Sequence, residues 1–182
     1  MSEPREPLPV LLMLAVFSRH AEAFRWARQK LSAAWGPLAL EGTMVEFDET
    51  DYYEATMGGP LRKQLWAFQY LVDADRLPEL KHQTNAWEQE YARQASHAEP
   101  RPLNLDPGYV TQAKLVLAST KDHAHRIYLD RGIYAEVTLR YHKGRWEPWP
   151  WTYPDYRRTE HQHFLEKCRH LLKEGLPRRS ID

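Results

Sequence analysis

VLLMLAVF, Val10 to Phe17, is a run of eight apolar residues, and its reading decides the fold. The run is too short for a typical helix and is bounded by turn formers, so it reads as a strand buried on both faces inside a sheet. Before it, residues 1–9 are rich in Pro and Glu and read as a loose tail. After it, Ser18 is placed to cap a helix whose Phe24, Ala27, Leu31, Ala34 and Trp35 fall on one stripe until Gly36-Pro37 stops it. The first unit is therefore a strand with a helix packed back on it.

Leu38 to Phe47 follows as a strand with Gly42 as a bulge, and Gly58-Gly59-Pro60 marks a turn. Leu61 to Val72 is the third strand by length and aromatic content. A second helix runs from about Asp75, with Pro78 in its first turn, to about Gln94, and carries Leu77, Leu80, Trp87 and Tyr91 as its apolar stripe. Strand, helix, strand, strand, helix opens a ferredoxin-like βαββαβ core, an α+β arrangement whose fourth strand is Pro102 to Leu105. The remainder extends a mainly antiparallel sheet with a C-terminal hairpin, and a terminal helix, Thr159 to Glu174, ends at Gly175. One domain then spans residues 10–176, with tails at 1–9 and 177–182.

The hairpin lies in HRIYLDRGIYAEVTLRY. Ile133, Ala135, Val137, Leu139 and Tyr141 alternate with Tyr134, Glu136, Thr138 and Arg140, which predicts a half-buried strand with one apolar face. A three-residue loop, Asp130-Arg131-Gly132, sets Leu129 opposite Ile133, Ile127 opposite Ala135, Tyr128 opposite Tyr134 and Arg126 opposite Glu136. Beyond it, RWEPWPWTYPDYR carries three prolines that exclude a regular helix or central strand. This segment reads as a stiff connector whose Trp151 and Tyr153 pack against the sheet, with Asp155 as its functional end.

Bulk composition narrows the function classes. The chain has 182 residues, with 25 Lys+Arg against 25 Asp+Glu, so a broad electrostatic surface for nucleic acid has no source. No apolar run approaches the roughly 20 residues of a membrane-spanning helix, and no membrane partner is expected. The single cysteine, Cys168, excludes an intrachain disulfide and agrees with a cytoplasmic setting.

Several polar groupings could carry chemistry. Lys81, Asn85 and Glu88 form a row on the second helix, at spacings of four and three, that one ligand could touch. Asn104 and Asp106 flank an Asp-Pro-Gly turn. Lys114 and Lys121, seven apart, share a face on a helix and lie on opposite faces of a strand, and residues 111–120 admit either reading with a tilt to strand. Arg126 and Glu136 are either a solvated cross-strand pair or an oriented charge pair at a site, with Thr138 next along. Two His-x-His pairs, His123/His125 and His161/His163, lack a carboxylate-rich companion motif, and no metal site is assigned. The Gly-rich phosphate cradles GxxxxGK[ST] and GxGxxG are absent from the sequence, so a phosphate would be held by side chains.

The stretches TDYYEATMGG, KHQTNAWE, NLDPGY, KLVLASTKD, HRIYL, GIYAEVTL and PWTYPDY resemble, in order, the family called domain of unknown function 4416, from about Leu8 to Leu172. The resemblance implies no established activity. Some members are labelled GTP-binding, but here Ser119-Thr120-Lys121-Asp122 does not have the spacing of the guanine-reading NKxD motif. Lys81, Thr84, Asn85, Glu88, Asn104, Asp106, Lys114, Thr120, Lys121, Arg126, Glu136 and Thr138 all fall inside the shared motifs.

The expectation is an enzyme or binder of a small anionic, phosphorylated or nucleotide-like ligand on the polar sheet face. Lys81, Asn85, Asn104, Lys114, Lys121, Arg126 and Thr138 would bind it. Glu88, Asp106 or Glu136 would serve as acid or base, Trp151 and Tyr153 would cover the ligand, and Asp155 would bind it. The alternative is a non-catalytic module that stacks RNA or protein on Trp146, Trp149, Trp151, Tyr153 and Tyr156. No cofactor and no oligomeric state follow from the sequence.

Overall fold

In the structure of the chain, a computed structural model, residues 3–47 and 54–177 are described. The start of the tyrosine motif, Thr50 to Tyr53, and the outermost residues of both tails lie outside them. Strand β1, Val10–Ser18, is buried along its whole length. It pairs antiparallel with β4, Leu61–Val72, on one side and β5, Asn104–Val110, on the other. Leu12, Leu14 and Val16 pack under helices α1, Ala21–Trp35, and α3, Leu77–Gln94. Leu11, Met13, Ala15 and Phe17 face α4, Thr159–Glu174. Apolar cover on both faces is why VLLMLAVF shows no polar alternation.

The remaining strands are β2, Leu38–Glu41; β3, Val45–Phe47; β6, Lys114–Ser119; β7, Arg126–Asp130; β8, Ile133–His142; and β9, Arg145–Pro148. The sheet order is β2-β4-β1-β5-β6-β8-β7, with β3 also on β4 and β9 on β8. Every ladder among the described residues is antiparallel. The chain is thus an α+β single domain, one mainly antiparallel sheet between two helical layers. A short helix α2, Glu54–Met57, precedes β4.

Several expectations are corrected by tertiary pairing. The Leu38 to Phe47 stretch is two strands rather than one bulged strand. Gly42, between them, donates its N–H to Leu65 O at 2.7 Å, and a Cβ there would press on the same carbonyl at 3.2 Å. Ser18 does not cap α1: its Oγ accepts the His20 N–H and donates to Pro102 O, tying the end of β1 to the approach of β5. A 3-10 turn, Ala74–Arg76, takes up Asp75, and α3 proper starts at Leu77.

The Asp106-Pro107-Gly108 turn is not a turn. These residues lie inside β5, paired with Ala15, Leu14 and Met13. Burial beside β1 overrides the local turn preference, and the glycine serves a different need. A Cβ on Gly108 would stand 2.4 Å from the Val116 carbonyl oxygen, so β5 and β6 approach too closely there for any side chain. Residues 114–119 are strand, and Lys121 lies in the bend that follows it.

The hairpin pairs Arg126 with Glu136, Ile127 with Ala135 and Tyr128 with Tyr134, in the expected register. Its tip is tighter than expected: Asp130 pairs with Ile133 after a register shift, and Arg131 and Gly132 turn with φ of 46° and 77°. The single apolar face of β8 is also corrected. The register against β6 shifts between Leu115 and Val116, leaving Thr138 as the extra residue. Ile133 packs with Leu77, Val116 and Ala118 on the α3 side, whereas Leu139 joins Trp146 and Phe164 on the α4 side.

Candidate functional site

The site begins where the β5–β6 ladder stops. The two strands pair only at Gly108/Leu117, Tyr109/Val116 and Val110/Leu115. The next residue of β5 is Pro107, which has no N–H for a ladder. Past it the described strands part, and α3 inserts Lys81 and Asn85 beside the opening. The result is a cavity of about 340 Å³ with Lys63, Lys81, Arg101, Lys121 and Arg126 among its lining side chains.

One wall is built by α3 and β5. Lys81 Nζ donates to Asp106 Oδ1 at 2.8 Å and to Leu105 O at 3.2 Å. Asn104 Nδ2 donates to Asp106 Oδ2 at 2.8 Å, and its own amide oxygen accepts from Arg101. Burial alone would raise the Asp106 carboxyl, but the Lys81 charge, the hydrogen bonds from Lys81 and Asn104 and the Arg101 charge hold it below the usual range. Glu88 stands behind this wall. It accepts the Leu105 N–H at 2.7 Å and two bonds from Arg101 at 3.2 and 3.1 Å, and burial pushes its carboxyl upward.

The opposite wall is built by β6, β7 and β8. The Arg126–Glu136 pair is buried, not solvated, with 4% and 3% of the two side chains exposed. Arg126 Nε meets Glu136 Oε2 at 2.9 Å, and its Nη1 donates to Ser119 Oγ at 2.7 Å and Lys121 O at 3.1 Å. Thr138 Oγ1 donates to Glu136 Oε1 at 3.1 Å, and His125 Nε2 stands 3.2 Å from Oε2. These contacts fix the carboxylate and leave the guanidinium plane at the cavity wall.

The third boundary is a caged cation. Lys63, on β4, forms a buried ion pair with Asp155, and its ammonium stands 4.6, 5.7 and 3.9 Å from the ring centres of Phe17, Phe47 and Tyr156. His161 Nδ1 lies 2.8 Å from the Asp155 carbonyl oxygen. Burial, then the Lys63 charge, depress this imidazole to about 4.

Of the residues proposed from sequence, Lys81, Asn85, Asn104, Asp106, Lys121, Arg126, Glu136, Tyr153 and Asp155 line the one cavity. Glu88, Lys114, Thr138 and Trp151 are not among its lining residues. Glu88 and Thr138 instead brace lining residues. Lys114 lies at the end of β6 far from the opening, paired with Arg140. Sequence reading missed Lys63 and Arg101. Lys63 had a signal: it shares the parity of Leu61, Leu65 and Ala67, so a lysine occupies the buried face of a strand. Arg101 had none beyond its position just before NLDPGY.

The rings of the Trp/Tyr-rich connector are mostly packed. Trp146 and Tyr156 are buried, and Tyr153, expected to be packed, is 46% exposed. Trp149 stacks on Trp151 at 5.3 Å, Trp151 on His125 at 5.1 Å and His125 on His123 at 5.7 Å. These rings cover one another, and Trp151 Nε1 donates to Val137 O at 3.1 Å. His123 and His125 are therefore members of a ring stack, and His125 is turned to Glu136. Cys168 lies on the buried face of α4, where burial raises its thiol well above the usual range.

Fold and cleft together define a single-domain α+β protein with a charged cavity at a split in an antiparallel sheet. The chain belongs to the family described as Domain of unknown function (DUF4416), whose model matches residues 8–171. No curated protein and no solved structure matches it. No helix among the described residues is long and apolar enough to cross a membrane.

Proposed function

We propose that the chain binds a small anionic, phosphorylated ligand in the cavity between β5 and β6, with Asp106 or Glu136 as the acid or base of any reaction there. One observation carries this reading: five cationic side chains, Lys63, Lys81, Arg101, Lys121 and Arg126, line the same cavity as three carboxylates, Asp106, Glu136 and Asp155. With Glu88 paired to Arg101 behind the wall, the positive surplus is one charge, which favours an anion, and Arg126, its Nε and Nη1 already bonded, offers Nη2 to phosphate oxygens. Asn85 and Asn104 add neutral donors and acceptors for the rest of the ligand. Glu88 positions Arg101 and β5 rather than meeting the ligand.

The strand order β2-β4-β1-β5, with α1 and α3 on one face, supports reading this half of the sheet as a ferredoxin-like βαββαβ unit. A lone buried cysteine is in keeping with a cytoplasmic setting.

The test is a thermal-shift panel of phosphorylated metabolites, pyrophosphate and dicarboxylates, followed by calorimetry on the hits. A ligand at about 100 times its Kd stabilises by roughly 2.7 kcal/mol. Binding that weakens at least about tenfold in Arg126→Gln supports the reading, since one charged hydrogen bond is worth about that much. A panel without a binder at millimolar concentration, or binding indifferent to Arg126→Gln and Lys81→Met, overturns it.

A further inference from the structure

A second grouping lies outside the cavity, where β1 runs into α1. His20 precedes the first turn of α1, Glu22 lies in that turn, and His97 comes from the loop after α3. Among the described residues these three offer ligand atoms that all lie within 4.8 Å of one another. None of them lines the anion cavity.

The distances suit groups gathered around a common point better than groups bonded directly to one another. Glu22 Oε1 is 3.9 Å from His20 Nδ1 and 3.9 Å from His97 Nε2. That is too long for a hydrogen bond. It is close to the separation of about 3.3 to 3.5 Å that two tetrahedral ligands keep when each sits about 2.0 to 2.1 Å from a shared zinc ion. Closing the difference takes rotation of the exposed Glu22 side chain and of the imidazoles, the three ligand atoms lying within 4.8 Å of one another.

The surroundings are those of a ligating histidine. His20 Nε2 stands 3.2 Å from Glu99 Oε2, while the other oxygen of Glu99 is held by Arg19 at 2.9 Å. A carboxylate on the far nitrogen fixes ring orientation and leaves Nδ1 to face the ion. The His20 and His97 rings stack at 3.7 Å and 20°, so one imidazole must turn out of the stack before both nitrogens can aim at one ion. The Glu22 carboxyl is held below its usual range by its backbone hydrogen bond and by the two imidazoles. One contact competes: the Tyr91 hydroxyl is 3.0 Å from His97 Nε2 and must yield that nitrogen.

We propose that His20, Glu22 and His97 form a binding site for a divalent transition metal of the zinc class, with Glu99 orienting His20. Two imidazoles and one carboxylate are a borderline-hard donor set with positions left for solvent. The ion would join the start of α1 to the 95–103 loop that delivers Arg101 to the cavity. The site does not depend on the anion reading.

Calorimetry of the chelator-stripped full chain with Zn²⁺, and absorption spectroscopy with Co²⁺, test it. The expected result is one ion per chain at micromolar Kd or tighter, with a tetrahedral or five-coordinate Co²⁺ spectrum. His97→Ala and Glu22→Gln should each weaken binding at least about tenfold, Glu99→Gln by roughly tenfold, and the double change of His123 and His125 to Ala should leave it intact. Glu22 is exposed, so E22Q tests the site even if H97A fails to fold. No binding at tens of micromolar, binding unaffected by E22Q and H97A, or binding lost with His123 and His125 overturns the proposal.

Discussion

The Lys81 ammonium on α3 lies 2.8 Å from the Asp106 carboxylate on β5, and Asn104 holds the other oxygen of that carboxylate. A helix and a strand from different parts of the chain thereby share one charge-paired wall. Lys81→Met keeps the buried stem but leaves Asp106 without its cation. We expect a loss of about 1 to 3 kcal/mol at neutral pH by urea unfolding, together with weaker anion binding. The Asp106 carboxyl is lowered in the folded chain, so its contribution is present above the ordinary value and lost as pH falls through the folded one. The difference between wild type and K81M should accordingly shrink in strong acid.

His161 predicts a second pH dependence at milder acidity. Its imidazole is neutral in the fold, depressed from 6.5 to about 4, so below 6.5 the unfolded chain binds the proton better. Stability is then full above pH 6.5 and falls as pH drops toward 4, by up to roughly 3 kcal/mol. Denaturation midpoints from pH 8 to 4 measure this, and His161→Gln should flatten the profile in that window.

Gly108→Ala tests the strand contact that defines the cavity mouth. The new Cβ would meet the Val116 carbonyl oxygen at 2.4 Å and Leu117 Cδ2 at 2.6 Å. The first contact is backbone and cannot rotate away, so the strands must move apart, at a cost of about 1 to 3 kcal/mol. Thermal unfolding reads the loss, and faster amide exchange at Tyr109 and Val116 would place it at this ladder.

Asp155→Ala removes the carboxylate paired with Lys63, both side chains being nearly fully buried. Breaking a buried pair on one side costs about 3 to 5 kcal/mol. Asp155→Ala together with Lys63→Met should recover much of that in chemical denaturation, because the uncompensated charge is then gone.

The strands and helices were legible because their signals are local. Ile127 opposite Ala135 and Arg126 opposite Glu136 follow from alternation and a short turn, and they hold in the structure. The Lys81, Asn85, Asn104, Asp106, Lys121, Arg126 and Glu136 set could be singled out in the sequence, and these side chains line one cavity. The bulge at Thr138 was not legible, because an inserted residue shows only against its partner strand. Nor was the role of Lys63, which only the rings of Phe17, Phe47 and Tyr156 make into a caged cation.

By itself, then, the sequence determined the opening strand and helix, the central burial of Val10 to Phe17 and the kinds of side chain available to a site. Whether Asp106-Pro107-Gly108 turns or extends was left to the tertiary structure. Three residues with a strong turn preference are held extended because β1 pairs along one side and Val116 crowds Gly108 on the other. The same contact ends the β5–β6 ladder beside a proline, and the opening beyond it is where the charged side chains meet. Local preference is worth about a kilocalorie per residue, and pairing between strands far apart in sequence outweighs it.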